Sequence, residues 1–341
     1  MQYFFPELNY VKGGGEQFHT IYGGNTLFNS FRVIERDKKA SIIPTSKVKK
    51  EFLDRFILKP LSPLGLNFET PVVMGVLNVT PDSFYDGERS FSEKQFVEKG
   101  LGLLKTGCAI LDIGGESTRP GAKELSSSKE IERVVGVIKK IKKSARSAII
   151  SVDTRKANVA EEALQAGASI VNDISAGSFD KKMFNVVAKY KAGICLMHSK
   201  GLPENMQDKP HYDNVLLDIY DYLEEKIIEA VRTGISREKI MIDPGIGFGK
   251  SLGHNLEIIK KAGLFLGLGC PLMIGLSRKS FIDEIISKRL PSERLAGSIA
   301  AMLKTLSKGF KIFRVHDVKE TADAIKVWNT FNRNKVCRNG S

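Results

Sequence analysis

From residue 71 onward, short apolar segments alternate with longer amphipathic ones along the chain. The apolar segments are rich in β-branched residues and almost uninterrupted by polar ones, which is typical of parallel strands covered on both faces. They predict eight strands, at residues 71–79, 109–115, 148–154, 169–175, 193–199, 239–245, 271–277 and 310–318.

The segments between the predicted strands repeat their apolar residues at helical spacing. Examples lie at residues 93–107, 131–143, 158–167, 214–234 and 293–309, and four glycines stand where a helix would end: Gly107, Gly167, Gly234 and Gly309. Because strand and helix alternate eight times, the sequence predicts an α/β fold, a (β/α)8 or TIM barrel. An open doubly wound sheet is the alternative, although eight units in about 260 residues favour a closed barrel.

The first 70 residues do not share this rhythm. They contain the glycine-rich segments KGGGEQ and YGGN and the charged segment RVIERDKKA. We predict that residues 1–70 are an N-terminal extension of unknown role, ordered at best in part, with a short hairpin near residues 26–43. The predicted barrel then occupies residues 71–335.

The composition is that of an ordinary globular protein, with 341 residues of which 42% are hydrophobic. The chain contains no apolar run of 18 residues, so we predict no transmembrane helix, and its first residues lack the features of a secretory signal. Its four cysteines have no metal-ligand spacing: Cys108, Cys195, Cys270 and Cys337. Three of them stand among apolar residues, which predicts buried free thiols and a cytoplasmic location.

The net charge of +13 is compatible with nucleic acid, an acidic membrane surface or anionic small substrates. The basic residues are spread along the chain, and the densest cluster, IKKIKKSAR at 138–146, lies within a predicted helix. Such a cluster is more typical of a solvated helix face, and no nucleic-acid recognition motif accompanies it. We therefore predict small-molecule substrates, with no nucleic acid or membrane as partner.

The segment DPGIGFGKS, residues 243–251, resembles a phosphate-binding loop at first sight. That pattern requires a glycine five residues before the Gly-Lys pair, and position 244 is a proline. The segment is instead interpreted as the end of a strand at Asp243, followed by a tight glycine-rich turn. Lys250 and Ser251 are assigned to the loop that follows.

Nearly every predicted strand carries a polar residue at or near its end: Asn78, Asp112, Asp153, Asn172 with Asp173, His198, Asp243, Ser277 with Arg278 and Lys279, and Arg314 with His316 and Asp317. Any one of them could simply cap a helix or begin a turn. In a barrel, however, all these strand ends meet at the rim that carries active sites. Their carboxylates, amides and cations together predict a ligand with both hydrogen-bonding and anionic parts.

The segments after the first two predicted strands, residues 78–91 and 114–128, are long and rich in Gly, Pro and hydroxyl residues, as active-site lids are. After the seventh strand, Ser280 stands at a predicted helix start beside Lys279, an arrangement suited to a carboxylate. On the eighth strand, Arg314 and His316 share one side, where they could hold a phosphate or pyrophosphate.

Eight motifs, in this order, resemble the dihydropteroate synthase family: MGVLNVTPDSFYDG, LDIGGESTRPGA, VDTRKANVAEEAL, VNDIS, LMHSKG, DPGIGFGK, GLSRKSF and RVHDV. The resemblance covers about residues 71–330. It implies a pterin-binding barrel that condenses 6-hydroxymethyl-7,8-dihydropterin diphosphate with p-aminobenzoate. The products are 7,8-dihydropteroate and pyrophosphate, in a step of folate biosynthesis that sulfonamides inhibit.

The resemblance also implies Mg²⁺ as cofactor, a homodimer, and departure of pyrophosphate before the arylamine attacks. The implied site residues are Asp86, Arg119 and Lys279 for catalysis; Asp153, Asn172, Met197, Asp243, Phe248 and Lys279 for the pterin; Asn78, Arg314 and His316 for the diphosphate, with Asn78 also at the metal; and Phe84, Thr118, Arg119, Pro120 and Ser280 for p-aminobenzoate.

Two positions depart from the family pattern, since Glu88 replaces a common glycine and Tyr85 a small residue, which bears on the lid and on sulfonamide affinity. One alternative is a methyltetrahydrofolate methyltransferase, which would lack the diphosphate residues of SRKSF and RVHDV. A second is a non-catalytic pterin binder, against which Asp86, Thr118 and Arg119 argue. A nucleic-acid-binding protein rests on charge alone.

Overall fold

The computed structural model describes residues 1–9, 17–23, 26–59, 65–66, 68–80, 92–117, 122, 124–201, 206 and 210–331. The N-terminal part forms an antiparallel sheet of strands β1 (Gln2–Asn9), β2 (His19–Thr20), β3 (Leu27–Glu35) and β4 (Ser41–Pro44), followed by helix α1 (Lys50–Ile57). Strand β3 is central, because β1 pairs along one edge and β2 and β4 pair along the other. The β3–β4 pair confirms the predicted hairpin.

This N-terminal layer is more ordered than the sequence predicted. The rings of Phe28, Phe31 and Phe56 are fully buried, and those of Phe31 and Phe56 lie 4.8 Å apart, in a core continuous with that of the barrel. Phe28 and Phe31 are three residues apart, whereas one face of a regular strand takes every second residue. A register shift in the β1–β3 pair, opposite Glu7 and Leu8, brings both rings to the same face and hides the strand pattern in the sequence.

The barrel consists of eight parallel strands, β5 (Val72–Asn78), β6 (Ile110–Gly114), β7 (Ile149–Asp153), β8 (Ile170–Asp173), β9 (Gly193–Met197), β10 (Ile240–Asp243), β11 (Met273–Ile274) and β12 (Ile312–Val315). Each strand from β5 to β10 pairs with the next one in the chain, and β12 lies between β11 and β5. A parallel bridge between Ile242 and Leu272 joins β10 to the β11 side and closes the sheet. The predicted closed barrel is therefore confirmed, and the open sheet is wrong.

The surrounding helices are α2 (Glu93–Lys105), α3 (Ser127–Ser144), α4 (Ala157–Gln165), α5 (Met183–Lys189), α6 (Val215–Arg232), α7 (Leu252–Lys260), α8 (Ser280–Ile286), α9 (Leu295–Leu306) and α10 (Val318–Phe331), with a 3-10 helix at Ala262–Leu268. All four predicted cap glycines have φ near +100°, which confirms them as helix ends. Two helices, α8 and α9, separate β11 from β12. Within the described residues, no helix combines the length and the apolar character needed to cross a membrane.

The amino-terminal end of the barrel is filled by apolar side chains. They come from alternate positions on most of the strands and from the segment that precedes β5: Leu66, Phe68, Val72, Met74, Ile110, Ile170, Cys195, Met241, Met273 and Ile312. Leu66 is 7% exposed and Phe68 is 3% exposed, so these two residues close this end of the barrel. Cys108, Cys195 and Cys270 are buried free thiols as predicted, and Cys337 lies outside the described residues.

Candidate active site

The polar residues of the barrel interior lie on the same strands as the apolar ones, two positions further along each strand. Asp112 follows Ile110, Asn172 follows Ile170, Asp243 follows Met241, and Arg314 follows Ile312 in this way. Because side chains two positions apart in a strand share a face, these groups point into the barrel. Their layer lies toward the carboxyl ends of the strands, where (β/α)8 barrels carry their sites.

Arg314 lies at the centre of this layer, bound to two carboxylates. Its Nε donates to Asp112 Oδ2 at 2.6 Å, and an Nη2 hydrogen is donated to Asp153 Oδ2 at 2.5 Å. Burial raises the pKa of Asp153 to about 7, although Arg314 opposes this shift. Burial alone would lower the pKa of Arg314, but Asp112 and Asp153 outweigh it and the net shift is upward. The guanidinium therefore stays charged, with N–H groups left for a ligand.

Several polar atoms around Arg314 are buried without a partner. Asn172 donates through Nδ2 to Asp112 Oδ2 at 3.3 Å. Among the described residues, Asp112 Oδ1, Asn172 Oδ1 and Ser151 Oγ are buried and have no hydrogen-bond partner. Leaving such atoms unpaired costs about 1–3 kcal/mol each, so native proteins normally satisfy them. Unpaired acceptors at the mouth of a barrel indicate a ligand that presents N–H or O–H donors.

Asp243 stands beside this group at the end of β10. It is 3% exposed, its Oδ1 accepts a hydrogen bond from Gly245 N at 2.7 Å, and burial raises its pKa. Lys279 donates to the Ile246 carbonyl and lies 4.8 Å above the centroid of the Phe248 ring. Burial lowers the pKa of Lys279 to about 8, against the opposing charge of Asp243. One cation, one carboxylate and one aromatic wall thus line the same part of the mouth.

The remaining predicted residues that the structure describes lie on the rim. Asn78 ends β5, Met197 ends β9 and is 3% exposed, and Ser280 begins α8. The His316 ring places Nδ1 3.1 Å from Ser277 Oγ, and the His316 backbone N–H donates to the same oxygen. The other predicted site residues, together with the two that depart from the family pattern, lie outside the described residues: Phe84, Tyr85, Asp86, Glu88, Thr118, Arg119 and Pro120.

Two of the strand-end carboxylates have structural roles instead. Asp173 accepts from Ser175 N and Oγ at 2.8 and 2.6 Å and from Gly177 N at 2.7 Å, so it caps the turn after β8. Asp317 pairs with the guanidinium of Arg278, whose Nε lies 3.0 Å from its Oδ2. For Asp173 the alternative of a turn residue is confirmed, whereas Asp317 takes part in an ion pair.

From the sequence, Asp112 and His198 are expected on the rim without an individual role and Lys250 in a loop, and the structure brings all three into the site. Asp112 ion-pairs with Arg314 across 202 residues of chain, and a charge within the apolar run ILDIG was the available signal. Lys250 is 3% exposed, and its Nζ lies 2.9 Å from Nδ1 of His198. His198 carried a signal, as a polar residue at a strand end. Lys250 carried none, because FGKS reads as an exposed loop.

The sequence profile of the pterin binding enzyme family matches residues 74–316. A dihydropteroate synthase of Escherichia coli strain K12 is 42% identical over 264 residues, which cover 77% of this chain and 92% of the relative. The chain belongs to the dihydropteroate synthase family. A relative from Bacillus subtilis is also 42% identical, over 78% of this chain and 90% of its own length.

Solved structures of this family have the same fold. A Xanthomonas albilineans dihydropteroate synthase with 4-aminobenzoic acid has a TM-score of 0.73 and 40% identity, covering 78% of this chain and 94% of the other. A Yersinia pestis dihydropteroate synthase in a sulfonamide drug complex has a TM-score of 0.75 and 39% identity, covering 80% and 98%. These structures therefore account for the barrel, and about a fifth of this chain lies outside the match.

Proposed function

We propose that the open end of the barrel condenses 6-hydroxymethyl-7,8-dihydropterin diphosphate with p-aminobenzoate, giving 7,8-dihydropteroate and pyrophosphate. The enzyme is a transferase of folate biosynthesis. The observation that carries this proposal is the buried polar layer in the barrel mouth, where Asp112 Oδ1 and Asn172 Oδ1 have no partner among the described residues. A pterin ring supplies donors and acceptors of the kind that this layer lacks.

The pterin is held edge-on by the carboxylate of Asp243, which accepts from the ring N–H and the exocyclic amine together. Asn172 serves another edge of the ring, since its amide both donates and accepts. Lys279 donates to the ring carbonyl, and Met197 and Phe248 form apolar walls. Asp153 contributes to the same pocket through its contact with Arg314.

The diphosphate lies toward the rim, where Arg314 supplies positive charge and N–H donors and the imidazole of His316 supplies a further polar contact. Among the described residues, no group of three or more His, Cys, Asp or Glu side chains could hold a metal ion. Mg²⁺ usually keeps several waters and binds through one or two protein oxygens together with substrate phosphates, and the Asn78 amide oxygen fits that role. A bound Mg²⁺ would neutralise charge that develops on the departing diphosphate.

In the reaction the C–O bond to the diphosphate breaks, and the p-aminobenzoate nitrogen forms the new C–N bond and loses a proton. Arg314 and His316 stabilise the leaving group, and Asp86 stabilises the developing pterin-methyl cation. Phe84, Thr118, Arg119, Pro120 and Ser280 hold p-aminobenzoate, and Arg119 and Lys279 orient the reactants. Sulfonamides compete at this p-aminobenzoate position.

We further propose that the enzyme is cytoplasmic and homodimeric. Three buried free thiols are consistent with a reducing compartment. Exposed apolar side chains on and near the helices around β12, namely Ile285, Ile286, Leu290, Val327 and Phe331, offer a surface for a second copy.

The proposed activity is tested by mixing the purified protein with both substrates and Mg²⁺. We expect dihydropteroate and pyrophosphate to appear in equal amounts, as measured by chromatography and a coupled pyrophosphate assay. Controls omit one substrate at a time, or replace Mg²⁺ with a chelator. An absence of dihydropteroate from folded protein with all components present would contradict the proposal.

A further inference from the structure

Lys250 is a buried lysine directly beside the proposed pterin pocket. It is 3% exposed, and burial lowers its pKa well below the ordinary value. Among the described residues, no carboxylate lies within ion-pair distance of its Nζ. The Nζ contacts are instead His198 Nδ1 at 2.9 Å, the Phe248 carbonyl at 2.9 Å and the His198 carbonyl at 3.3 Å. Each of the three hydrogens of an ammonium group thus has one neutral acceptor.

These acceptors belong to two different segments of the chain. His198 directly follows β9, whereas Phe248 lies in the loop between Asp243 and α7. The two segments are in backbone contact, because a Cβ on Gly245 would lie 1.9 Å from the His198 carbonyl oxygen and one on Gly249 would lie 2.2 Å from that of Lys200. Both glycines also have positive φ. Lys250 therefore joins two segments whose close contact requires glycine at positions 245 and 249.

The imidazole of His198 is built to accept this hydrogen bond. It is 6% exposed, and its pKa is lowered well below the ordinary value by burial and then by the charge of Lys250. The ring of Tyr222 packs against it at 5.0 Å between centroids, nearly at right angles. A neutral ring with its proton on Nε2 leaves Nδ1 free to accept from Lys250.

The loop that Lys250 holds carries one side of the pterin pocket. Lys279 donates to the Ile246 carbonyl and lies over the Phe248 ring, so it contacts this loop from the β11 side. Lys250 contacts the Phe248 carbonyl from the β9 side. The loop is thus fixed from both neighbouring strands, and the position of the Phe248 ring depends on both lysines.

We propose that Lys250 and His198 form a clamp that fixes the loop after Asp243, so that Phe248 and Asp243 meet the pterin in a preformed pocket. Both are positioning residues, since they act through Phe248 and Gly245. This inference rests on the proposed function. The clamp acts on the loop that carries Phe248, one wall of the proposed pterin pocket, so its loss should affect the pterin substrate first.

The test is the substitution Lys250→Met, which keeps the length of the side chain and removes its donors. We expect the KM for dihydropterin diphosphate to rise about tenfold to a hundredfold, because small misplacements of binding groups have effects of this size. The KM for p-aminobenzoate should change much less. The matched control is Lys260→Met on the exposed part of α7, which should leave both KM values unchanged.

A second pair of variants separates positioning from folding. His198→Asn keeps an acceptor near the place of Nδ1 and should retain most of the pterin affinity, whereas His198→Leu should raise the pterin KM as Lys250→Met does. If Lys250→Met does not fold, the comparison of His198→Asn with His198→Leu tests the positioning role instead. The inference is overturned if folded Lys250→Met or His198→Leu protein has the wild-type pterin KM. If the wild type itself makes no dihydropteroate, the proposed function fails instead.

Discussion

The two ends of the barrel interior differ in how they are filled. At the amino-terminal end, Leu66 and Phe68 insert among apolar strand residues such as Met74 and Met241. At the carboxyl-terminal end, three carboxylates that are at most 9% exposed lie around Arg314, whose side chain is 22% exposed, and several oxygens have no partner among the described residues. The amino-terminal end is filled by apolar packing alone. The carboxyl-terminal end contains buried polar groups that a ligand could bind.

The difference shows where this fold places stability and where it places function. Apolar burial contributes about 25 cal/mol per Å² and needs no partner beyond close packing. Buried charges oppose folding unless they are paired, and each unpaired polar oxygen adds about 1–3 kcal/mol of cost. We infer that the apolar end stabilises the barrel enough to tolerate the polar end. Substitutions at the two ends should therefore have different signatures.

Replacing Arg314 with Met should have the largest effect. It leaves Asp112 and Asp153 buried without their cation, so we expect unfolding free energy to fall by about 3–5 kcal/mol at pH 7.5. Urea unfolding followed by circular dichroism measures this loss. The control is Arg278→Met, which breaks the more exposed pair with Asp317 and should cost clearly less. Equal losses in the two variants would show that burial of the Arg314 pairs does not matter.

At the apolar end, Phe68→Ala should reduce stability without changing catalysis. The ring is 3% exposed, so truncating it leaves a cavity and should cost about 3–4 kcal/mol of unfolding free energy. The KM values should stay at their wild-type levels in folded protein, because the substitution lies below the polar layer. Leu58→Ala, at a 59% exposed position outside the proposed dimer surface, is the control. A large KM change in Phe68→Ala would show that the two ends are not independent.

Asp243→Asn should have the opposite effect to Phe68→Ala, because it should weaken pterin binding and leave stability nearly unchanged. Asn can still accept from Gly245 N through its oxygen, so the fold should be retained. Its amino group would face the donors of the pterin edge, and we expect at least about a hundredfold weaker pterin binding, or about 2.7 kcal/mol. Isothermal titration with a pterin measures the affinity, with Asp323→Asn on α10 as control. Unchanged affinity would place the pterin elsewhere.

The sequence predicts the barrel and its polar rim, but not every contact within the rim. The barrel follows from near-continuous apolar strands, and the rim follows because Asn172 and Asp243 interrupt such strands at their ends. The pairing of Asp112 with Arg314 does not follow, since it joins positions 202 residues apart and depends on barrel closure. Sequence periodicity reports which face a residue takes, and it does not report which partner it meets there.

Other features escape prediction for local reasons. Lys250 follows a glycine-rich turn and has the composition of a solvated loop, yet three acceptors bury it. Beyond the β3–β4 hairpin, the N-terminal sheet is not predicted, because a register shift between β1 and β3 breaks the alternation that would have revealed it. In both cases the backbone departs from regular geometry, and simple pattern rules assume regular geometry.

Asp153 should give the polar end a pH dependence that the apolar end lacks. Its folded-state pKa of about 7 lies above the ordinary 3.8, so between these values the native state binds the extra proton. Stability contributed by this group therefore falls as pH rises from 4 to 7, by at most about 1.4 kcal/mol per pH unit. Unfolding free energies at pH 5, 6 and 7 should show a flatter dependence in Asp153→Asn than in the wild type. Identical slopes, with Asp323→Asn as control, would contradict the shift.

Arg36→Met should have the smallest effect, although it also breaks two ion pairs. Arg36 Nη1 and Nη2 lie 2.8 and 2.7 Å from Asp218 and Asp221, but its side chain is 38% exposed, so water screens these contacts. We expect a loss below about 1 kcal/mol, shrinking further in high salt, with unchanged kinetics. Thermal unfolding at low and high ionic strength measures it. A loss as large as that of Arg314→Met would mean that ions hold the N-terminal layer to the barrel, whereas its aromatic core predicts that packing does.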